Sequence, residues 1–349
     1  MKRFDENPIL TPADVQPTRD DLEVMCTLNP AAVKVDGETL LLVRVAEKAR
    51  REKGQVAAVI HDAEAGETRI VDIGDEDPLL DTSDPRKYFY RGRMLLTSLS
   101  HLRIARSRDG RNFTFDPAPA LTPANEYEAF GVEDARITFI DRRYYITYTA
   151  VSEYGVCVGL ASTTDFVTFE RHGLIFPPYQ KDVVIFPEKN QDGLYVCRHR
   201  PYMNEFNDAC IWTAYSPDLL SWGRHKMTLA PTAGTWESER VGCGGAPIKT
   251  GEGWLEIYHA CGPDGYALGA MLSDLEAPEK LLCRSPRPVL LPETDYEKIG
   301  VFNNTVFSNG LVAEADGTLT LYYGAADRIC AGAVTTVDEM VAAAKGKSN

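Results

Sequence analysis

The chain is poor in the features that mark several functional classes. It has eight cysteines, at 26, 157, 197, 210, 243, 261, 283 and 330, and none form a C-x-x-C or another close pair. That spacing argues against a zinc site or a dithiol redox motif, so no metal and no cofactor are expected. Most of the cysteines sit in apolar runs such as YGVCVGLA and GLYVCRH, which predicts reduced, buried thiols in a cytoplasmic protein. The opening MKRFDENPILTP carries no apolar core of a signal peptide, which disfavours an exported enzyme. No apolar run approaches the ~18 residues of a membrane span. Basic residues are outnumbered, 37 Lys and Arg against 51 Asp and Glu, for a net charge of −14. Such a surface repels nucleic acid and anionic membranes, so any anion site must be a local basic cluster. Helical periodicity is scarce as well.

What is present is repetition. Short β-branched and aromatic runs alternate with Gly, Asp, Asn and Pro turns. A small or acidic opening residue, an apolar strand, a polar turn and an aromatic-rich strand recur at 29–45, 132–150, 182–201, 244–260 and 303–325. Between these copies lies a second pattern, an apolar strand followed by S-x-D or a close variant, at 102–115, 158–169, 212–222 and 268–278. Five copies, ~50–65 residues apart with about four strands each, predict an all-β, five-bladed propeller. Length alone would allow one to three domains, but the repeats run through 1–349 without a low-complexity linker, so one propeller domain is expected. The tail 335–347, with a Thr cap, early acids and late lysines, predicts a short terminal helix. The charged stretch 47–55 reads as an exposed loop or helical lid.

In a propeller the first strand of each blade lines the axis. The opening residues Asn29, Asp134, Asp182, Gly244 and Asn303 are therefore expected to converge. Asp134, in GVEDAR at the mouth of a strand, is the candidate acid. The alternative is a structural carboxylate that pairs Arg136 or caps backbone amides. A basic set, Lys181, Arg198, His199, Arg200, Arg240 and His259, occupies strand starts and ends. Arg forks and a Lys point charge suit a phosphate. Pairing with Asp182, Glu188, Glu237 and Glu239 would explain them equally well. The GCGGAP stretch lacks the GK[ST] of a P-loop, and its glycines fit close packing near the axis. Tyr88, Tyr90, Tyr127, Tyr154, Tyr202, Trp236 and Tyr266 are candidates for stacking on sugar rings, whereas Trp254 and Phe186 read as core.

Four stretches, GVEDARITFIDRRYYITYTA, DVVIFPEKNQDGLYVCRHRP, WESERVGCGGAPIKTGEGWLEIYHA and NNTVFSNGLVAEADGTLTLYYGAAD, together resemble the β-mannoside phosphorylases and β-mannosidases of glycoside hydrolase family 130. The resemblance runs from Asn29 to Asp327 and also implies five blades. It implies Asp134 as general acid and Asn29, Arg44 and Asp327 as holders of the mannose that is cleaved off, with Tyr266 assisting. Lys181, Arg200, Arg240 and His259 match its phosphate-binding positions. Lys181 stands where the family has arginine and Arg240 where it has lysine, which changes donor geometry but not charge.

The implied reaction is inverting attack of inorganic phosphate on a β-mannoside, giving α-mannose 1-phosphate. An inverting hydrolase needs a second carboxylate to deprotonate water, whereas phosphate is already an anionic nucleophile. The proton leaves Asp134, by the resemblance through a mannose hydroxyl, so the acid is expected to be held protonated by burial and neighbouring carboxylates. The run 95–110 looks more like members acting on β-1,2-mannosides than on β-1,4-mannosides. Three alternatives stay open: a β-1,4-mannoside phosphorylase, an inverting β-1,2-mannosidase using Glu237 or Glu239, and a non-catalytic sugar-binding propeller. Loops 47–55 and 77–93 are expected to set the acceptor, and self-association as a homo-oligomer accords with the family.

Overall fold

The computed structural model describes residues 1–52, 55–74, 77–84, 86–202 and 209–347. It is a five-bladed β-propeller closed by a short C-terminal helix. The inner strands of the blades are Leu22–Val35, Gly131–Ile140, Gln180–Ile185, Arg240–Cys243 and Val306–Ala313. Each leads into an antiparallel meander. In the second blade the order is Gly131–Ile140, Arg143–Ser152, Gly155–Thr163 and Glu170–Phe176. The last blade is completed from the other end of the chain, where Lys2 and Arg3 pair with Val334 and Ala333.

Apolar residues close the ring. Leu42, Ile104, Val132 and Ile146 join the first and second blades, and Leu160, Ile175, Val183 and Ile185 the second and third. Val184, Ile211, Val241 and Tyr258 join the third and fourth. Leu255, Leu268, Leu321 and Tyr323 join the fourth and fifth. Leu41, Val43, Tyr322 and Cys330 return to the first. Five interfaces between five blades cover both faces of each sheet and leave only the short outer strands as edges. This is why inner strands such as GVEDARITFI read as nearly continuous buried runs rather than alternating ones.

The same defect recurs where four inner strands meet the axis. Strand register slips between Leu28 and Ala31, Glu133 and Arg136, Lys181 and Val184, and Ser308 and Gly310. Asn29, Asp134 and Asp182 occupy the first three bulges with φ of 48°, 48° and 55°. Asn and Asp tolerate this left-handed region best among residues with a side chain, so a polar group is turned out of the ladder at each bulge. In the fourth blade Gly244 takes the place of the bulge. A Cβ there would lie 2.1 Å from the Ile257 carbonyl oxygen, so the backbones meet where only glycine fits.

The S-x-D pattern proves to be a set of outer turns. Asp109, Asp165 and Asp218 each accept backbone N–H bonds from residues two and three positions on, and Asp274 does the same. The fifth blade ends instead in the helix Val337–Ala344, with Thr336 as its cap. The stretch 47–55 departs from expectation. Strand Glu38–Ala49 extends into it, and Glu47 is buried and accepts the Thr18 backbone N–H at 2.7 Å. Residues 53 and 54 of that stretch, and residue 85 of the 77–93 loop, lie outside the described residues. An insertion between the second and third strands of the first blade forms the hairpin Val56–Asp62/Glu67–Ile73 and the three-stranded sheet Leu80–Asp84, Lys87–Tyr90 and Arg93–Leu96.

Candidate active site

One guanidinium organises the axis. Arg136, fully buried, donates to the Asp134 carbonyl at 2.9 Å and to the Cys243 and Gly244 carbonyls at 2.9 and 3.3 Å. It also donates to Asp182 Oδ1 at 3.0 Å. Arg136 thus binds three blades together and stands between two carboxylates with different surroundings.

On one side is Asp134. Its Oδ1 accepts from Asn29 Nδ2 at 2.9 Å and from Arg44 Nη1 at 3.2 Å. Arg44 forks, its Nη2 lying 2.7 Å from Glu133 Oε1 and its Nε 3.0 Å from Ser100 Oγ. The Asn29 side chain packs against Gly324 of the YYG sequence, where a Cβ would fall 2.1 Å from Asn29 Oδ1. Asp327 is enclosed beside the same charges. Burial, against the pull of Arg44, raises its pKa to about 6. Burial likewise raises Glu133. Asp134 behaves oppositely: burial pushes it up, but Arg44, Lys181 and Asn29 outweigh that and hold it below the ordinary carboxylate range. The expectation that Asp134 is kept protonated is therefore corrected for the unliganded site. Two nearby cations and a neutral donor favour its ionised form.

On the other side is Asp182, which gathers cations. Arg200 Nε and His259 Nε2 lie 3.0 and 3.2 Å from its Oδ2. Against burial, Arg200, Arg136 and His259 hold its pKa well below the ordinary value. Burial lowers His259 to about 4, so its imidazole is neutral at pH 7 and Nε2–H donates to Asp182. Arg200 Nε is within ion-pair distance of Asp182 but makes no hydrogen bond to it, and among the described residues Arg200 Nη1 and His259 Nδ1 have no hydrogen-bond partner either. These are buried donors or acceptors with unused capacity. The Arg240 guanidinium lies 5.8 Å from the Tyr266 ring centroid, and Tyr266 lies 6.1 Å from the His259 ring. Lys181 Nζ is 5.7 Å from the Tyr202 ring centroid.

A cavity of about 850 Å³ opens over Arg44, Glu133, Lys181 and Asp327. The insertion of the first blade supplies one wall, through Ile60–Asp62 and Arg93–Leu96, and residues 151–153, 155 and 156 with Tyr179 supply the other. Arg200, Arg240, His259 and Tyr266 do not line this cavity.

Several expectations are corrected. Asn303 is exposed and accepts only local bonds, from the Gly300 N–H and the Thr305 hydroxyl. The residue at the fifth-blade bulge is Asn309, buried, whose Nδ2 donates to the Asn29 carbonyl at 3.3 Å. Aligning FSNG at 307–310 with LNP at 28–30 would have found it. Arg198 faces away from the axis into a buried network with Glu256, Thr228 and Ser273. His199 pairs with Gln180 and His225 and stacks on Phe176. Glu237 is buried and held by the Tyr258 hydroxyl and Arg284, each at 2.7 Å, so it is no free base. Of the stacking candidates only Tyr202 lines the cavity. Tyr88 lines a smaller pocket beside it, Tyr90 bonds Asp77, and Trp236 packs on Tyr258. Tyr127 and Tyr154 form a cleft of their own. Trp254 and Phe186 are core, as expected.

The sequence profile of a glycoside hydrolase family 130 described as beta-1,4-mannooligosaccharide phosphorylase matches residues 86–345. The chain belongs to glycoside hydrolase family 130. Within this family it is 44% identical over 345 residues to a beta-1,2-mannobiose phosphorylase of Listeria innocua, covering 97% of each chain. It is 41% identical to a 1,2-beta-oligomannan phosphorylase of a Thermoanaerobacter species, over 69% of this chain and 80% of the relative. A solved structure of the Listeria innocua beta-1,2-mannobiose phosphorylase in complex with beta-1,2-mannobiose superposes on this family-130 fold with a TM-score of 0.94. The two share 42% identity, and the match covers 99% of both chains.

Proposed function

We propose that this chain is an inverting phosphorylase of β-mannosides, preferring β-1,2-linked manno-oligosaccharides. The observation that carries the reading is the pairing of a buried Asp134 with a basic cluster around Asp182, in which the Arg200 guanidinium keeps unpartnered N–H groups beside the neutral His259. Asn29, Arg44 and Asp327 would hold the terminal mannose, with Tyr266 beside it. Lys181, Arg200, Arg240 and His259 would hold phosphate on the opposite face of the anomeric carbon.

A phosphate oxygen attacks that carbon as the glycosidic bond breaks. The bonding electrons go to the leaving oxygen, which takes the proton supplied by Asp134. Phosphate also acts on the state of the acid. Held at Lys181, it brings negative charge beside one of the cations that depress Asp134, which shifts the carboxyl toward its protonated form. A hydrolytic reading finds less support, since Glu237 is locked by Tyr258 and Arg284 and Glu239 lies 3.7 Å from Arg240. The β-1,2 preference rests on likeness to the two relatives named for that linkage. One catalytic domain spanning the five blades, acting in a reducing cytoplasm, accords with six buried, free cysteines. No helix among the described residues is long and apolar enough to cross a membrane.

The test is incubation with β-1,2- and β-1,4-mannobiose, with and without inorganic phosphate. Mannose 1-phosphate formed only with phosphate, and faster from the β-1,2 isomer, is expected. Free mannose at a phosphate-independent rate would overturn phosphorolysis. Asp134→Asn should cut turnover by about 10²–10⁴-fold while disaccharide binding survives. Near-wild-type turnover would remove Asp134 from its role.

A further inference from the structure

The cavity wall continues into a second cleft. Two stretches form that wall, the segment ending at Ala129 and Phe130 and the hairpin turn at 152–156. The same two stretches supply Tyr127 and Tyr154 to a cleft of about 620 Å³, floored by Pro177 and Pro178. The partition is thin. A Cβ on Gly155 would lie 2.9 Å from Tyr179 Cε1 and 3.2 Å from Pro178 Cβ, so the turn and the Tyr179 loop touch only because residue 155 is glycine.

Three tyrosines crown this ridge with unusual exposure. Tyr127, Tyr154 and Tyr179 are 38%, 56% and 52% exposed, and the Tyr127 and Tyr154 rings stand 5.9 Å apart at 55°. A cluster of exposed rings with hydroxyl tips offers apolar faces to C–H groups and hydrogen bonds to hydroxyls, the surface a sugar presents. His61, from the first-blade insertion, lines the same cavity. Its Nε2 is buried without a hydrogen-bond partner among the described residues. With the terminal mannose held by Asn29, Arg44 and Asp327 as proposed above, this wall is one of the two that flank the rest of a longer chain.

We propose that the Tyr127–Tyr154 cleft is a distal sugar subsite, which takes the mannosyl units of a manno-oligosaccharide beyond the disaccharide. The inference rests on the proposed function and adds a chain-length determinant to it.

Tyr154→Ala and Tyr127→Ala alter exposed side chains remote from the acid. Each should lower kcat/KM for a β-1,2-mannotetraose by about fivefold or more and leave β-1,2-mannobiose within about twofold. Tyr154→Trp, which keeps a ring, should restore the tetraose value. Calorimetric binding of the tetraose without phosphate should weaken in parallel. Equal effects on both substrates, or none on either, would overturn the proposal. A change of oligomeric state with unchanged tetraose affinity would also overturn it and assign the cleft to contact with a second copy. The wild-type mannobiose assay separates the two readings. Absence of phosphate-dependent turnover there defeats the function, while tetraose binding still decides the cleft.

Discussion

Arg200→Lys separates the structural and functional parts of one side chain. Arg200 Nε lies 3.0 Å from Asp182 Oδ2, while Nη1 is buried without a partner among the described residues. A lysine nitrogen falls at about the place of the arginine Cζ, one bond beyond Nε and within reach of the same carboxylate. It can therefore keep the ion pair to Asp182 but cannot also present the rest of the guanidinium fork to phosphate. The loss is at least one charge-assisted hydrogen bond, worth about 1.5–3 kcal/mol. That corresponds to a rise in the phosphate KM of about 10- to 150-fold. Because Lys181, Arg240 and His259 remain, the lower end is expected. The assay is the initial rate of mannose 1-phosphate formation against phosphate at saturating mannobiose, with thermal unfolding alongside. The mannobiose KM should stay within about twofold and Tm nearly unchanged. Arg200→Ala should differ, because Asp182 would lose one of its two arginine partners in the interior and stability would fall as well. A phosphate KM within twofold of wild type for Arg200→Lys, at unchanged Tm, would refute the argument and place the anion elsewhere.

Two further outcomes follow from the axis. The Asp327 carboxyl binds its proton more tightly in the folded chain, at about 6 against an ordinary 3.8. Its ionisation therefore opposes folding by about 3 kcal/mol above pH 6, and this cost vanishes as pH falls below 3.8. Asp327→Asn should raise Tm at pH 8, give little gain near pH 4, and weaken mannobiose binding. A gain in Tm independent of pH would contradict this. Gly242→Ala would place a Cβ 2.2 Å from His259 Nε2 and 2.6 Å from Asp182 Oδ2. The collision should cost about 1–3 kcal/mol of stability and raise the phosphate KM, while mannobiose binding in the absence of phosphate is retained. An unchanged phosphate KM would show that the His259–Asp182 pair does not shape the anion site.

The sequence by itself determined the blades and the chemistry brought to them. Five copies of one strand pattern can bury their faces only against one another, so the ring follows from the period. Asn29, Asp134 and Asp182 were legible because a polar residue recurs at the same place in the first three copies, where the bulge turns it out of the ladder. The fifth bulge was misplaced at Asn303, since a loosely similar repeat fixes a strand more firmly than its register, and Asn309 emerged only from the pairing. Tertiary structure alone decided which basic residues face the axis. Side chains alternate across a strand, so Arg198 and Arg200, two residues apart in RHRP, share one face of their strand, yet different partners claim them. Glu256 holds Arg198 in the blade, while Asp182 draws Arg200 to the centre. The ionisation of the acid was likewise invisible in sequence. It is a balance of burial against Arg44 and Lys181, which come from other blades, and only their distances from Asp134 set its sign.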